Sequence, residues 1–181
     1  MHQRKYSLEL IADLGLSGSK PMSSPLELNT KLTTLEFDTP TNSTNDDTLL
    51  ENPGPYQILL GRLMYLIVIR PDISFAVQTL SQFMHSPKYS HMDVALTIVR
   101  YIKNCHGLGV LMKADWSGSL AVFCDADWTA CPNSRRSITG YLVKFGDSLI
   151  SSKSKKQSTV SRSFAEAEYR SITICLAHWL V

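Results

Sequence analysis

The region from Leu120 to Tyr169 constrains the fold of this chain most strongly. It contains three alternating runs, SLAVFCDADW, SITGYLVKF and SLISSKSK, and their period is typical of half-buried β-strands. The turn-forming pair Gly146 and Asp147 separates the last two runs. A helix that opens near Ser163 follows them. The pattern therefore predicts a β-β-β-α unit.

The earlier part of the chain has apolar residues at helical spacing. A first helix, with Tyr6 and Leu10 on its apolar face, is expected to end at Gly15. Three more helices are predicted before Gly107, and Asp72 is a candidate N-cap for the middle one. Their apolar faces consist of Tyr56, Leu59, Leu60, Leu63, Met64 and Ile67; Ile73, Ala76, Val77, Leu80 and Phe83; and Val94, Ala95, Ile98, Tyr101, Ile102 and Cys105. We therefore expect an α+β chain with a helical segment before the β-β-β-α unit.

Composition divides the chain into four segments. Residues 30–55 are polar and include TPTNSTNDDT, which predicts either a mobile linker or a long surface loop. Residues 1–29 precede this linker. The helical segment covers 56–116, and the β-β-β-α unit covers 117–181. The short run GVLMK, shortly before that unit, is also strand-like.

The composition argues against several classes of protein. A formal net charge of +2 is too small to predict nucleic-acid binding by itself. No run reaches the ~18 apolar residues of a membrane span, and the N-terminus lacks the apolar core of a signal peptide. The four cysteines show no paired spacing, so we expect an intracellular protein of undefined compartment. The spacing of His85 and His91 across Pro87 favours surface or capping histidines over a metal site.

Four carboxylates of the β-β-β-α unit are candidate metal ligands. Asp125 and Asp127 end the first strand, and Glu166 and Glu168 lie early in the helix. Carboxylates from a strand end and a facing helix can bind divalent cations. Aspartates also end strands in ordinary turns, however, and the pattern alone favours that interpretation. Ser163 and Glu166 have the spacing of a capping box, so helix initiation by itself can explain Glu166.

Periodicity predicts which of these side chains can meet. Strand alternation places Asp125 on the face opposite Cys124. On a helical wheel, Glu168 lies about 70° from the centre of the apolar face and Glu166 about 90° away, on opposite flanks. Glu168 is therefore slightly better placed to reach a packed sheet. The predicted apolar face consists of Ala165, Tyr169, Ile172, Leu176 and Trp179.

A basic cluster lies between the last strand and the helix. It consists of Lys153, Lys155, Lys156 and Arg162. Lys and Arg in such a cluster bind phosphates without reading base sequence. Lysines on an edge strand also prevent sheets from aggregating, and this is the more frequent role.

Motifs along nearly the whole chain, apart from the polar segment, resemble one known family. They are QRKYSLELIADLGLSGSKPMSSPLE, YQILLGRLMYLIVIRPDISFAVQTLSQFMHSP, IVRYIKNCHGLGV, CDADWTACPNSRRSITGYLVKFG, SKSKKQSTVSRS and AEAEY. In this order and spacing they resemble the Pol polyprotein of copia-type LTR retrotransposons, from the end of the reverse transcriptase into the RNase H domain. RPDISFAV, CDADW and AEAEY are together the most specific part of this resemblance.

The resemblance implies the end of the reverse transcriptase region over residues 1–29, a thumb-like or connection-like helical segment over 56–116, and the N-terminal part of an incomplete RNase H-like domain over 117–181. In that family a strand aspartate and a helix glutamate, with two further aspartates, hold two divalent cations that cut the RNA strand of an RNA–DNA hybrid. Asp125 matches the strand position and Glu168 the helix position, with Asp127 or Glu166 as additional candidate ligands. The implied cofactor is Mg²⁺ or Mn²⁺. The implied partner is an RNA–DNA hybrid or another nucleic acid, without a membrane or a small-molecule substrate.

The chain also departs from the family pattern. It begins after the motif that carries the polymerase aspartates, and no acidic residue follows Glu168 to supply the other two RNase H aspartates. Ser152 stands where the family usually has Trp, and DWTA stands where DWAG is usual. We therefore expect a catalytically inactive remnant of the reverse transcriptase and RNase H region. The alternatives are an RNase H that is active or complemented in an oligomer, and a nucleic-acid-binding module derived from it.

Overall fold

The chain forms two compact units, Met1–Gly109 and Val110–Val181. The computed structural model describes residues 1–27, 30, 32–38, 47–114 and 118–179, with the backbone alone at 178 and 179. Most of TPTNSTNDDT lies outside the described residues, so its predicted linker character stays a prediction. The side chain of Trp179 lies outside them as well.

The first unit is helical. Its elements are α1 (Arg4–Asp13), α2 (Leu35–Asp38), α3 (Gly54–Leu66), α4 (Ser74–Ser81) and α5 (Tyr89–Asn104), with short 3-10 helices at Leu16–Gly18 and Pro71–Ile73. The helix predicted at the N-terminus and the three predicted before Gly107 are confirmed. Gly15 follows α1 with a φ of +67°, a left-handed conformation that glycine adopts without strain.

The predicted apolar faces of α3, α4 and α5 meet in one core. Leu60 of α3, Leu80 of α4 and Ile98 of α5 are all fully buried, together with Leu10 of α1. Burial of one such side chain stabilises a fold by about 1.5–3 kcal/mol. The hydroxyl of Tyr56 donates a hydrogen bond to the Leu80 carbonyl at 2.8 Å, which joins α3 to α4.

Asp72 does not cap α4, contrary to the prediction. The helix begins at Ser74 without a side-chain cap. The Asp72 carboxylate instead accepts hydrogen bonds from Nε and Nη2 of Arg70, at 2.9 and 2.7 Å. Arg70 is almost fully buried and also donates to the Cys105 carbonyl at the end of α5. A buried guanidinium requires a charged partner. Asp72 is that partner, and its carboxylate therefore does not cap the helix.

Lys88, directly before α5, contacts the chain on both sides of the segment 39–46. Its side chain is buried, and its ammonium forms ion pairs with Asp38 and Asp47. The same ammonium lies 3.4 Å from the Thr33 hydroxyl. Leu49 also forms an isolated antiparallel bridge with Lys88. The polar segment is therefore attached to the start of α5 before and after its undescribed part.

The second unit contains an antiparallel sheet and one helix. The strands β1 (Leu120–Asp127), β2 (Ile138–Phe145) and β3 (Ser148–Lys156) have the order β1-β2-β3, and α6 (Phe164–Trp179) follows them. The predicted α+β class and β-β-β-α order are confirmed. The strand predicted at GVLMK is wrong, because residues 109–113 have no strand pairing. The Lys113 amide donates instead to the Ser148 hydroxyl at 2.8 Å.

The face of α6 that packs on β1 and β2 consists of small residues. Ala167, Ser171 and Cys175 are at most 1% exposed. The predicted apolar face is wrong, since Tyr169 is 72% and Leu176 is 52% exposed. Small side chains allow a helix to approach a sheet closely, and this steric requirement decides which face is buried. Neither α6 nor any other described helix has the length and apolarity needed to cross a membrane.

Candidate functional site

Asp125 and Asp127 lie on the face of the sheet that is opposite α6. Cys124 packs with Tyr141 and Val143, which are covered by α6, and Tyr141 is its register partner. Alternate strand residues point to opposite faces, so the two aspartates share the other one. Both are exposed. Partial desolvation of its carboxylate and the charge of Asp125 nevertheless raise the pKa of Asp127.

Glu168 reaches β1 from α6. Its carboxylate accepts a long hydrogen bond, 3.4 Å, from the backbone N–H of Ala126. One turn later, the Ser171 hydroxyl donates to the Asp125 carbonyl at 2.9 Å. Helix α6 therefore contacts the backbone of Asp125 and its neighbour, and Glu168 is the glutamate that it presents there.

Glu166 is engaged at the start of α6. Its N–H donates to the Ser163 hydroxyl at 3.2 Å, and its carboxylate accepts from the Arg162 N–H at 2.7 Å. It also forms an ion pair with Arg170 one turn later, at 2.7 Å. The hydrogen bond from Arg162 and the charge of Arg170 lower the pKa of Glu166. Helix capping is therefore sufficient to explain this glutamate.

The described carboxylates do not by themselves fit a pair of divalent cations. Such a centre needs several oxygen ligands around one point. Asp125 and Asp127 occupy one face of β1, whereas Glu168 is bound to the Ala126 backbone. Across the described part of the chain, no group of three or more His, Cys, Asp or Glu side chains is arranged to hold a metal ion.

Gln157 organises the junction between the sheet and α6, and the sequence analysis missed it. Its side chain is buried, and its amide donates to the Thr139 hydroxyl at 3.1 Å and to the Ala167 carbonyl at 3.0 Å. Its side-chain oxygen accepts from the Ser161 hydroxyl at 3.0 Å. An uncharged polar residue after a lysine-rich strand carries no periodic signal, so only its tertiary partners identify it. Gln157 thereby fixes the start of α6 against β2.

The four predicted basic residues do not form one surface. Strand alternation places Lys153 and Lys155, both exposed, on one face of β3 and Lys156 on the other. The Lys156 ammonium lies 3.9 Å from the sulfur of Cys131. Arg162 is exposed just before α6. The exposed lysines on this edge strand suit either phosphate contact or protection of the edge.

Comparison with known proteins identifies the family. The chain is 34% identical over 179 residues to the uncharacterized mitochondrial protein AtMg00810 of Arabidopsis thaliana. The alignment covers 98% of this chain and 69% of that protein. It is 38% and 37% identical over 172 residues to the retrovirus-related Pol polyproteins from transposons RE1 and RE2 of the same plant. The chain belongs to the copia-type retrotransposon Pol family. The predicted resemblance to the Pol polyproteins of these retrotransposons is thus confirmed.

This Pol-family chain matches only a small part of the polyproteins. The alignments cover 95% of this chain but 11% of the RE1 and RE2 polyproteins. No family model and no solved structure matches the chain. Within it, CDADW supplies the end of β1 and AEAEY supplies the start of α6, while RPDISFAV supplies the ion pair of buried Arg70 with half-buried Asp72.

Proposed function

We propose that these 181 residues are the junction of the reverse transcriptase and RNase H regions of a copia-type Pol polyprotein, and that on their own they do not cut RNA–DNA hybrids. The order of the motifs supports the junction, because the helical unit with RPDISFAV precedes the unit with CDADW and AEAEY. Asp125 and Glu168 correspond to the strand and helix ligands that the RNase H resemblance implies.

The small number of carboxylates that the described residues bring together supports the proposed absence of cleavage. Asp125 lies on the sheet face opposite α6, and Glu168 is bound to the Ala126 N–H. In a two-metal centre the cations lie about 3.5–4 Å apart and share ligands. Affinity for hard cations depends on the number of carboxylates around the site. Because the described residues hold no group of three or more His, Cys, Asp or Glu side chains around one point, no step of hydrolysis is assigned to Asp125 and Glu168.

An assay with a labelled RNA–DNA hybrid tests this proposal directly. We expect the purified chain, with Mg²⁺ or Mn²⁺, to release no more product than its Asp125→Asn variant. Circular dichroism should show that the two proteins fold alike, and an active RNase H should cut the same hybrid. Reproducible cleavage that is lost in both Asp125→Asn and Glu168→Gln, but kept in Glu166→Gln, would overturn the proposal.

An exposed aromatic face on α3 favours a second candidate function, nucleic-acid binding without cleavage. Ile58 and Tyr65 are 68% and 56% exposed. The Tyr65 ring packs edge-on against Tyr6, with ring centroids 5.2 Å apart, and the Arg62 guanidinium lies 5.7 Å from the Tyr6 ring. Arg62 forms an ion pair with Asp13 at 2.9 Å, so the candidate function depends on Tyr65, whose ring can stack on unpaired bases.

A labelled single-stranded oligonucleotide tests the second candidate, because its unpaired bases can stack on Tyr65. Binding that weakens steeply with salt, and about tenfold further in Tyr65→Ala, would support a binding module. Tyr89→Ala is the matched control, because Tyr89 is also exposed on a helix of the same unit. Equal affinities for the two variants would reject the α3 face as a binding surface.

A further inference from the structure

Two cysteines lie on facing elements of the second unit. Cys124 is on the face of β1 that α6 covers, and Cys175 is on the face of α6 that packs on the sheet. Both belong to the cluster formed with Tyr141 and Val143. Both are free thiols. The fold therefore places one thiol of a strand beside one thiol of a helix.

The two thiols differ in access to solvent. Cys175 is 1% exposed, whereas Cys124 is half-buried. Burial and the charge of Cys124 raise the pKa of Cys175, an electrostatic effect that agrees with their proximity. The thiolate is the reactive form of cysteine. Because Cys124 is the more exposed of the two thiols, an oxidant meets it first, and the buried Cys175 is then positioned to resolve the product.

We propose that Cys124 and Cys175 are a redox pair that forms a reversible disulfide between β1 and α6 when the protein meets a peroxide. The Cys124 thiolate attacks one oxygen of hydrogen peroxide, the O–O bond breaks, and sulfenic acid and hydroxide form. The Cys175 sulfur then attacks the Cys124 sulfur, the S–O bond breaks, and water leaves with the thiol proton. In total, two thiols are oxidised and one peroxide is reduced to two waters.

The bond would join the two elements that carry Asp125 and Glu168. Cys124 directly precedes Asp125, and Cys175 lies two helical turns after Glu168. A disulfide here closes a long loop that contains β2 and β3, which restricts the unfolded chain. The expected effect is a second unit that is more resistant to denaturation when oxidised. This inference does not depend on hybrid cleavage or hybrid binding.

Peptide mapping of the complete chain tests the pair. The reduced protein is treated with hydrogen peroxide, alkylated, digested without reductant and analysed by mass spectrometry. We expect loss of the Cys124 and Cys175 thiols together, and one reductant-sensitive peptide pair that links them. The Cys131→Ser variant should give the same linked pair, because Cys131 lies in the loop between β1 and β2 and is not part of the cluster. The denaturation midpoint of this variant should rise on oxidation and return with reductant.

Two other outcomes would overturn the proposal. One is Cys124 oxidised to sulfinic acid while Cys175 still reacts with the alkylating agent. The other is a linkage to Cys105 or Cys131, or between two chains, in place of the expected one. Cys124→Ser provides a further control, since its denaturation midpoint should not respond to peroxide. A response equal to that of the unaltered chain would contradict the assignment.

Discussion

At the scale of single residues, buried charges determine much of how the first unit is held together. Burial opposes ionisation of Asp38, but hydrogen bonds from Lys88 and Thr33 and the charge of Lys88 outweigh it and lower its pKa. Asp47 behaves in the same way, since burial is outweighed by hydrogen bonds from Ser90 and by the charge of Lys88. Both carboxylates therefore stay ionised and balance the buried ammonium. The polar segment depends on this balance for its attachment.

The Lys88→Met variant tests that dependence. Removal of one partner of a buried ion pair costs about 3–5 kcal/mol. Asp38 and Asp47 are 24% and 21% exposed, so water can compensate part of their lost partner. We expect a loss of about 2–3 kcal/mol in the free energy of unfolding, measured by urea denaturation. Lys153→Met, at an exposed position of β3, should change it by less than about 0.5 kcal/mol. Equal effects of the two substitutions would show that the ion pair contributes little.

At the scale of elements, the packing of α6 depends on side-chain size and hydrogen bonding more than on hydrophobicity. Ala167 is completely buried between the helix and the sheet. Ser171 is equally buried, and the Asp125 carbonyl accepts its hydroxyl hydrogen bond. A polar residue can thus occupy the interface at no large cost because its partner is present. The larger apolar residues of the helix, including Tyr169, lie outside this contact.

Paired substitutions on α6 test this account of its orientation. Ala167→Leu places a large side chain in the closed interface and should destabilise the second unit by about 1–3 kcal/mol. Ala165→Leu adds the same atoms two residues earlier, at an exposed position, and should change stability by less than about 0.5 kcal/mol. Tryptophan fluorescence during urea denaturation measures both. If Ala165→Leu is the more damaging variant, then the face first predicted from the helical wheel is the buried one.

Much of the fold could be predicted because it depends on local periodicity. The strands β1, β2 and β3 lie where side chains of opposite faces alternate along the sequence. Gly15 follows the end of α1 because glycine adopts the left-handed conformation without strain. The buried face of α6 could not be predicted, since the acceptor for Ser171 belongs to a strand far away in sequence. Gln157 was missed for the same reason. At the candidate site, alternation predicted the face of Asp125, whereas a metal role for Asp125 and Glu168 is implied only by the family resemblance and stays a prediction.

At the scale of the whole molecule, each unit has its own core and its own sensitivity to pH. The core of the first unit includes His91, which is fully buried, stacks on Phe83 and accepts a hydrogen bond from the Lys88 N–H at 3.1 Å. Burial and the charge of Lys88 lower the pKa of His91 to about 4, despite the opposing charges of Asp47 and Asp38. The folded first unit therefore keeps this histidine neutral, whereas the unfolded chain protonates it in mild acid.

Acidification should consequently destabilise the first unit before the second. The unfolded chain binds a proton at His91 near pH 6.5, and the folded chain binds one near pH 4. The contribution of neutral His91 to the free energy of unfolding is therefore complete above pH 6.5 and is lost as the pH falls to about 4. The loss is about 3 kcal/mol over that window.

Far-ultraviolet circular dichroism follows mainly the first unit, which has most of the helices, and fluorescence follows the second, which has all three tryptophans. We expect the urea midpoint measured by dichroism to fall between pH 6.5 and 4, with a smaller change in the fluorescence midpoint. His91→Gln should remove this difference, and an equal fall of both midpoints in the unaltered chain would contradict independent unfolding of the two cores.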